Sequence, residues 1–233
     1  VASIRFGDLL VSAVRLDDPL DDRASELHPV ELRRAATFAS GWDRDRFLGG
    51  RLAIRSFAAN ILSAAPRELV LDYSCRNCRS SGSIDHGRPG YSARRGGEPV
   101  RISLSRSGPW CAMVGAVGPG TTAVGIDVEN SARVRFAGFD DVVLTAAERS
   151  SLAGIADPEA TRVRARLWTR KEAFLKVLGT GLLREPSTVE ASARNIEGIE
   201  VMDIDPRELG MPSGYTAAVA FSAGSLIESR RLG

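Results

Sequence analysis

Apolar positions recur at helical spacing over two early segments, Glu31 to Phe38 and Asp45 to Leu62, and in the second Phe47, Ile54, Phe57 or Ala58, and Ile61 fall on one side. Both segments read as helices. Around Cys75 to Gly97 the pattern dissolves into Gly, Ser, Arg and Pro, which predicts a loop of about twenty residues, a length that commonly carries function. Three short apolar runs follow, Val100 to Leu104, Trp110 to Val117 and Ala123 to Glu129, separated by Ser-Gly-Pro and Gly-Pro-Gly turns, and they read as a strand meander. Thr145 followed by Glu148 is a capping-box signature opening a helix. Asp157 and Pro158 supply the N-cap and first-turn proline of a longer helix running to about Leu178, where Gly179 ends it. Strands near Ile199 to Ile204 and Tyr215 to Phe221 close the chain.

A short echo runs through this order. Ser107-Gly108 precedes WCAMVGAV, and Ser213-Gly214 precedes YTAAVAFS, each late in its half and each behind helices with aromatic anchors. The echo fits two similar α+β halves; a chance match of short segments is the alternative.

Composition narrows the function classes. The chain has 233 residues, 43% hydrophobic and 26% charged, which excludes a stapled mini-protein and a disordered chain. Its 31 Lys+Arg against 29 Asp+Glu leave a net charge of +2, too small for a nucleic-acid footprint. No apolar run approaches the ~20 residues of a membrane span, and Val1 to Leu16 lacks a signal-peptide pattern. These features predict a soluble, cytoplasmic protein. Nearly all the basic residues are arginine; the two lysines are Lys171 and Lys176, on the long helix.

Two stretches carry chemistry. In TAVGIDVEN, Val124, Ile126 and Val128 point one way, so Gly125, Asp127 and Glu129 point the other. The two carboxylates then sit about 7 Å apart on one strand face, a donor set suited to a hard divalent cation such as Mg²⁺, or else an ordinary acidic strand surface. In WTRKEAFLKVLGTGL, Trp168, Glu172 and Lys176 are spaced i, i+4, i+8 and form one helical stripe. The plain alternative is a solvent-exposed ion pair on that helix.

Taken together, GIDVE and WTRKEAFLKVLGTG, about forty residues apart, resemble the paired signature of the 4′-phosphopantetheinyl transferases, in the longer monomeric branch typified by the surfactin-synthetase activator. The basic helix with Asp45-Arg46, the Gly87-Arg88-Pro89 turn and LSRSG at Leu104 to Gly108 extend the likeness over most of the chain. The resemblance implies the pseudo-duplicated α+β fold of that family, with halves at residues 1–118 and 119–233, each a small antiparallel sheet packed with helices, and transfer of 4′-phosphopantetheine from coenzyme A to a serine of an acyl- or peptidyl-carrier protein. It implies Mg²⁺ held by Asp127, Glu129 and Glu172. Glu172, Lys176 and Asp127 then form the catalytic set. Arg34, Arg46, Arg88, Ser105, Arg106 and Lys176 are implied as the groups that bind the coenzyme. The family's Ser-His-Ser-Gly stands here as Ser105-Arg106-Ser107-Gly108; a guanidinium suits a phosphate by its permanent charge and forked donors. The implied partners are carrier domains of fatty-acid, polyketide or nonribosomal-peptide assembly, met by a monomer. Two other readings share the residues: a coenzyme- or nucleotide-binding protein without turnover, and a Mg²⁺-dependent pyrophosphate hydrolase.

Cys75-x-x-Cys78 with His86 is a partial zinc-site pattern, three ligands where structural zinc takes four; a plain loop with reduced cysteines is the alternative. Neither a P-loop nor a strand-linked GxGxxG is present, which removes the common nucleotide kinases and dinucleotide dehydrogenases. Trp42, Trp110 and Phe139 read as core or interface residues.

Overall fold

The computed structural model describes residues 2–17, 23–74, 88–95, 97–118 and 120–223. Two strands the pattern reading did not anticipate open the chain, β1 (Ala2–Phe6) and β2 (Leu9–Arg15), joined at Gly7 with a φ of 54°. α1 (Pro29–Ala35) starts earlier than Glu31 because His28 caps it: its Nδ1 accepts from the Val30 amide while the Glu31 carboxylate accepts from the His28 amide. It ends before Phe38, whose ring packs on Phe47 at 5.3 Å. α2 (Gly41–Leu62) likewise begins ahead of Asp45, behind the Ser40 cap.

The loop expected over Cys75 to Gly97 is interrupted by a strand: β4 (Arg88–Ser92) pairs antiparallel with β3 (Val70–Ser74) in a small two-stranded sheet, a long-range pairing that local composition does not reveal. β5 (Ile102–Ser107) and β6 (Trp110–Ala116) form the predicted hairpin, but the meander stops there. β6 lies between β2 and β5 in a sheet ordered β1-β2-β6-β5, so both of its hydrogen-bonding edges are filled and β7 (Thr121–Asn130) has to find another partner. After α3 (Phe139–Val143), α4 (Ala146–Ser151) and α5 (Glu159–Leu178) come β8 (Asn195–Ile196), β9 (Ile199–Ile204) and β10 (Tyr215–Ala223). The second sheet is ordered β7-β10-β9-β8, with β10 paired antiparallel to both β7 and β9.

The two halves repeat one topology. Strand, long helix and a further pair of strands follow in turn, and the last strand inserts between the other two: β2-β6-β5 in one sheet and β7-β10-β9 in the other. The echoed segments fall on the equivalent central strands β6 and β10. The protein is α+β, built in four layers. One core lies between α2 and the first sheet around Ile54, Tyr91 and Met113. A second lies between the sheets, where Val11 and Val114 meet Ile126 and Val219. A third lies under α5 around Phe174, Leu175 and Val201.

α5 is pinned in place by a buried ion pair. Lys171 is fully buried: its Nζ donates to the Val143 carbonyl at 2.6 Å, to Glu148 Oε2 at 2.5 Å and to the Pro186 carbonyl at 3.1 Å. Glu148, also the α4 capping-box residue, takes the Ala191 amide on its other oxygen at 2.8 Å. One ion pair thus ties α4 and the 186–191 segment to the helix. Pro158 occupies the N-cap position of α5, and Asp157 accepts from the Thr161 hydroxyl at 2.8 Å; Gly179 ends the helix at a φ of 69°. Phe139 is buried, in edge contact with Trp168 at 6.3 Å, whereas Trp42 is 58% exposed and does not join a core.

Candidate functional site

The two halves meet along the edge strands β5 and β7. Alternation on β5 sends Ile102 and Leu104 toward α2 and Ser103, Ser105 and Ser107 toward β7. Those hydroxyls replace part of a backbone ladder: Ser103 Oγ accepts from the Ile126 amide at 3.3 Å and Ser107 Oγ from the Asn130 amide at 3.0 Å. Ser105 donates to Asp127 Oδ1 at 2.6 Å, and Ser107 donates to Glu129 Oε1.

On the other side of β7, α5 comes close enough that a β-carbon built on Gly125 would stand 2.1 Å from the Ala173 carbonyl oxygen and 3.1 Å from Lys176 Cβ. A glycine is needed for strand and helix backbones to touch here. That approach sets Glu172 and Lys176 beside Asp127. Lys176 Nζ donates to Asp127 Oδ1 at 2.7 Å and to the Ile126 carbonyl at 2.8 Å. Glu172 Oε1 is buried without a hydrogen-bond partner. Burial, and after it the Asp127 charge, raises the Glu172 carboxyl above the usual glutamate range, with Lys176 opposing.

Glu129 stands apart from this pair. Its Oε1 takes the Ser107 hydroxyl and the Asn130 amide at 2.8 Å, with the Arg133 guanidinium 3.7 Å away. Among the described residues no three His, Cys, Asp or Glu side chains converge as a ready ion cage. The arrangement still fits Mg²⁺, which is commonly held by one or two carboxylates with water and substrate phosphate completing its shell. A buried carboxylate oxygen lacking a donor, beside a second carboxylate, is the feature such an ion satisfies.

The basic wall comes from the first half. A cavity of about 380 Å³ lies between α2, β5 and α5, bordered by Arg51, Ile54, Ser105, Arg106 and Lys176. Gly50 leaves room for Arg106 to lie across α2, its Cδ 3.0 Å from where a β-carbon would be, and Arg106 Nη1 donates to the Arg46 carbonyl at 3.0 Å. The guanidiniums of Arg34, Arg51 and Arg106 surround the Phe47 ring at 5.7, 5.0 and 5.9 Å, and Arg46 stacks on Trp42 at 4.3 Å. Part of Arg106 reaches solvent, yet desolvation lowers its proton affinity, and the like charges of Arg51, Arg46 and Arg34 add to that. Arg46 Nε and Arg51 Nη1 are buried without hydrogen-bond partners. Crowded cations with unused donors suit a multiply charged anion. A larger cavity of about 770 Å³, between α2 and the first hairpin, is bordered by no carboxylate among the described residues and lacks this convergence.

Asp127, Glu172, Lys176, Ser105 and Arg106 are therefore brought together, and Arg34 and Arg46 line up behind them. Arg88 opens β4, and its side chain lies outside the described residues, as do Cys75, Cys78 and His86. Cys111 is buried on β6 and its thiol is pushed up to about 11 by burial, which keeps it protonated. Arg51, Ser107 and Gly125 were not singled out from the sequence as site residues. Arg51 lies five residues after Arg46 on α2, a spacing that offered a weak signal; the other two depend on which strands become neighbours.

The comparisons with known proteins agree with this geometry. Residues 123–219, the span holding β7, α5 and β10, match the model of the 4′-phosphopantetheinyl transferase superfamily. The chain is similar to the 4′-phosphopantetheinyl transferase HetI of a Nostoc species, 29% identical over 184 residues, covering 73% of this chain and 68% of that protein. It is also similar to a Synechocystis protein, slr0495, named as a candidate 4′-phosphopantetheinyl transferase. That match is 24% identical over 157 residues, covering 67% of this chain and 58% of the relative. The likeness to 4′-phosphopantetheinyl transferases thus centres on the span that holds Asp127, Glu172 and Lys176.

Proposed function

We propose that the protein transfers the 4′-phosphopantetheine group of coenzyme A to a serine hydroxyl of an acyl- or peptidyl-carrier protein, releasing adenosine 3′,5′-bisphosphate, with Mg²⁺. The observation that carries this reading is the meeting of Asp127, Glu172 and Lys176, from β7 and α5, at one end of a cleft whose other wall is Arg46, Arg51 and Arg106. Asp127 and Glu172 would hold the ion, with Glu129 nearby on the same strand face. When bound, the ion would withdraw charge from the pyrophosphate oxygens.

The chain's own groups supply the remainder. The arginines bind and orient the nucleotide phosphates. The carrier serine oxygen forms a bond to the pantetheine-side phosphorus as the bond from that phosphorus to the bridging oxygen breaks. Glu172, with one buried oxygen that has no other hydrogen-bond partner, accepts the serine proton. Lys176 balances Asp127 and faces the charge developing on the leaving phosphate. In the same reading the chain acts as a cytoplasmic monomer of two halves, 1–118 and 119–233, and serves fatty-acid, polyketide or nonribosomal-peptide assembly. The repeated topology supports the division. Among the described residues no helix is long and apolar enough to cross a membrane.

Intact-mass spectrometry of apo acyl and peptidyl carriers, incubated with the protein, Mg²⁺ and coenzyme A, tests the reading. A gain of one phosphopantetheine is expected, and it is lost with Asp127→Ala. No gain on any of several unrelated carriers, or equal gain with Asp127→Ala, defeats it.

A further inference from the structure

The serines on β5 do two different things although they stand in one row. Ser103 accepts from a backbone group, the Ile126 amide. Ser105 and Ser107 each donate to a carboxylate of the opposite half. In both cases the donors collect on a single oxygen: Ser105 and Lys176 on Asp127 Oδ1, and Ser107 and the Asn130 amide on Glu129 Oε1. Ser105, Ser107 and Asp127 are buried, so these contacts are shielded from water. A carboxylate gripped through one oxygen has its plane fixed and offers the other oxygen to an ion.

We propose that Ser105 and Ser107 are positioning residues for the carboxylates of the ion site: reaching from the first half, they hold one oxygen of Asp127 and one of Glu129, leaving the second oxygen of Asp127 for the ion and that of Glu129 for the water around it. This rests on the reading above that Asp127 and its neighbours bind Mg²⁺, and it gives Ser105 a role other than contact with the coenzyme. It also makes the seam between the halves part of the ion site, because a shift of β5 against β7 moves both carboxylates. Hydroxyls that orient metal ligands in this way typically contribute ~10–100-fold in metal affinity.

Electron paramagnetic resonance of free Mn²⁺, titrated with protein in the presence of coenzyme A, reads the ion site without turnover. Ser105→Ala is expected to weaken Mn²⁺ binding ~10–100-fold and Ser107→Ala by less, Glu129 being half-buried and also held by the Asn130 amide. Ser103→Ala removes a bond of the same row without touching a carboxylate; it is expected to lower the melting temperature comparably and leave the Mn²⁺ affinity within about twofold. Ser105→Thr keeps a hydroxyl and is expected to restore most of the affinity. Equal Mn²⁺ affinity in Ser105→Ala and the parent, or an equal loss in Ser103→Ala, overturns the positioning role while leaving the transferase reading in place. A parent protein that modifies carriers with Mg²⁺ but holds no Mn²⁺ overturns it as well. A parent that neither binds Mn²⁺ nor modifies a carrier brings down both.

Discussion

Replacing Gly125 with alanine puts the contact between β7 and α5 to the test. The new methyl would lie 2.1 Å from the Ala173 carbonyl oxygen, a helix backbone atom, and 3.1 Å from Lys176 Cβ. Ordinary carbon–oxygen contact needs roughly 1 Å more than the shorter of these, and backbone cannot rotate away, so strand and helix must separate by about that distance. Overpacking of this kind costs about 1–3 kcal/mol. For a chain of this size that lowers the melting temperature by roughly 2–12 °C. The functional effect is expected to be larger, because the same displacement carries Glu172 and Lys176 away from Asp127, and a 1 Å error in a catalytic constellation reduces turnover by up to about 100-fold. Scanning calorimetry and the initial rate of carrier modification measure the two effects. Gly41→Ala, at a helical position with nothing within 4 Å of the added carbon, is the comparison and should leave both nearly unchanged. A Gly125→Ala protein with parental melting temperature and rate would refute the close approach and the account of the site that depends on it.

Two other expectations follow from the buried charges. Lys171→Met strands the Glu148 carboxylate in the core and should destabilise the fold by about 3–5 kcal/mol in urea unfolding, with partial recovery in Lys171→Met/Glu148→Gln; a loss under about 1 kcal/mol would contradict the pinning role. Glu172 takes up its proton more readily folded than unfolded, so without divalent ions the stability of the parent should fall as pH rises from the ordinary glutamate range through the raised folded value. Glu172→Gln should match the parent below that window and exceed it above; a stability difference that stays constant from about pH 4 to pH 8 would show that the carboxyl is not perturbed.

How much of this was legible beforehand varies with the range of the interaction. The capping box at Thr145, the helix end at Gly179 and the strand Ile199–Ile204 are set by contacts within a few residues, and pattern alone located them. The α5 stripe placed Glu172 and Lys176 on one face because helical periodicity is a local rule. The opening hairpin was missed because β1 is a five-residue edge strand without a fully buried position, too short for its alternation to stand out. The burial of Lys171 was not legible at all, because spacing on its own helix says nothing about Glu148, which reaches it from another segment.

The sequence by itself determined the α+β class, the face that Asp127 and Glu129 share, and the paired motifs that resemble a phosphopantetheinyl transferase. Only the tertiary structure decided that β7 leaves the first meander, that Gly125 lets α5 settle onto it, and that serines of the opposite half take hold of its carboxylates. Local periodicity fixes which way a side chain points. Which group it meets there depends on edge-to-edge pairing and layer packing, and those are settled by residues far apart along the chain.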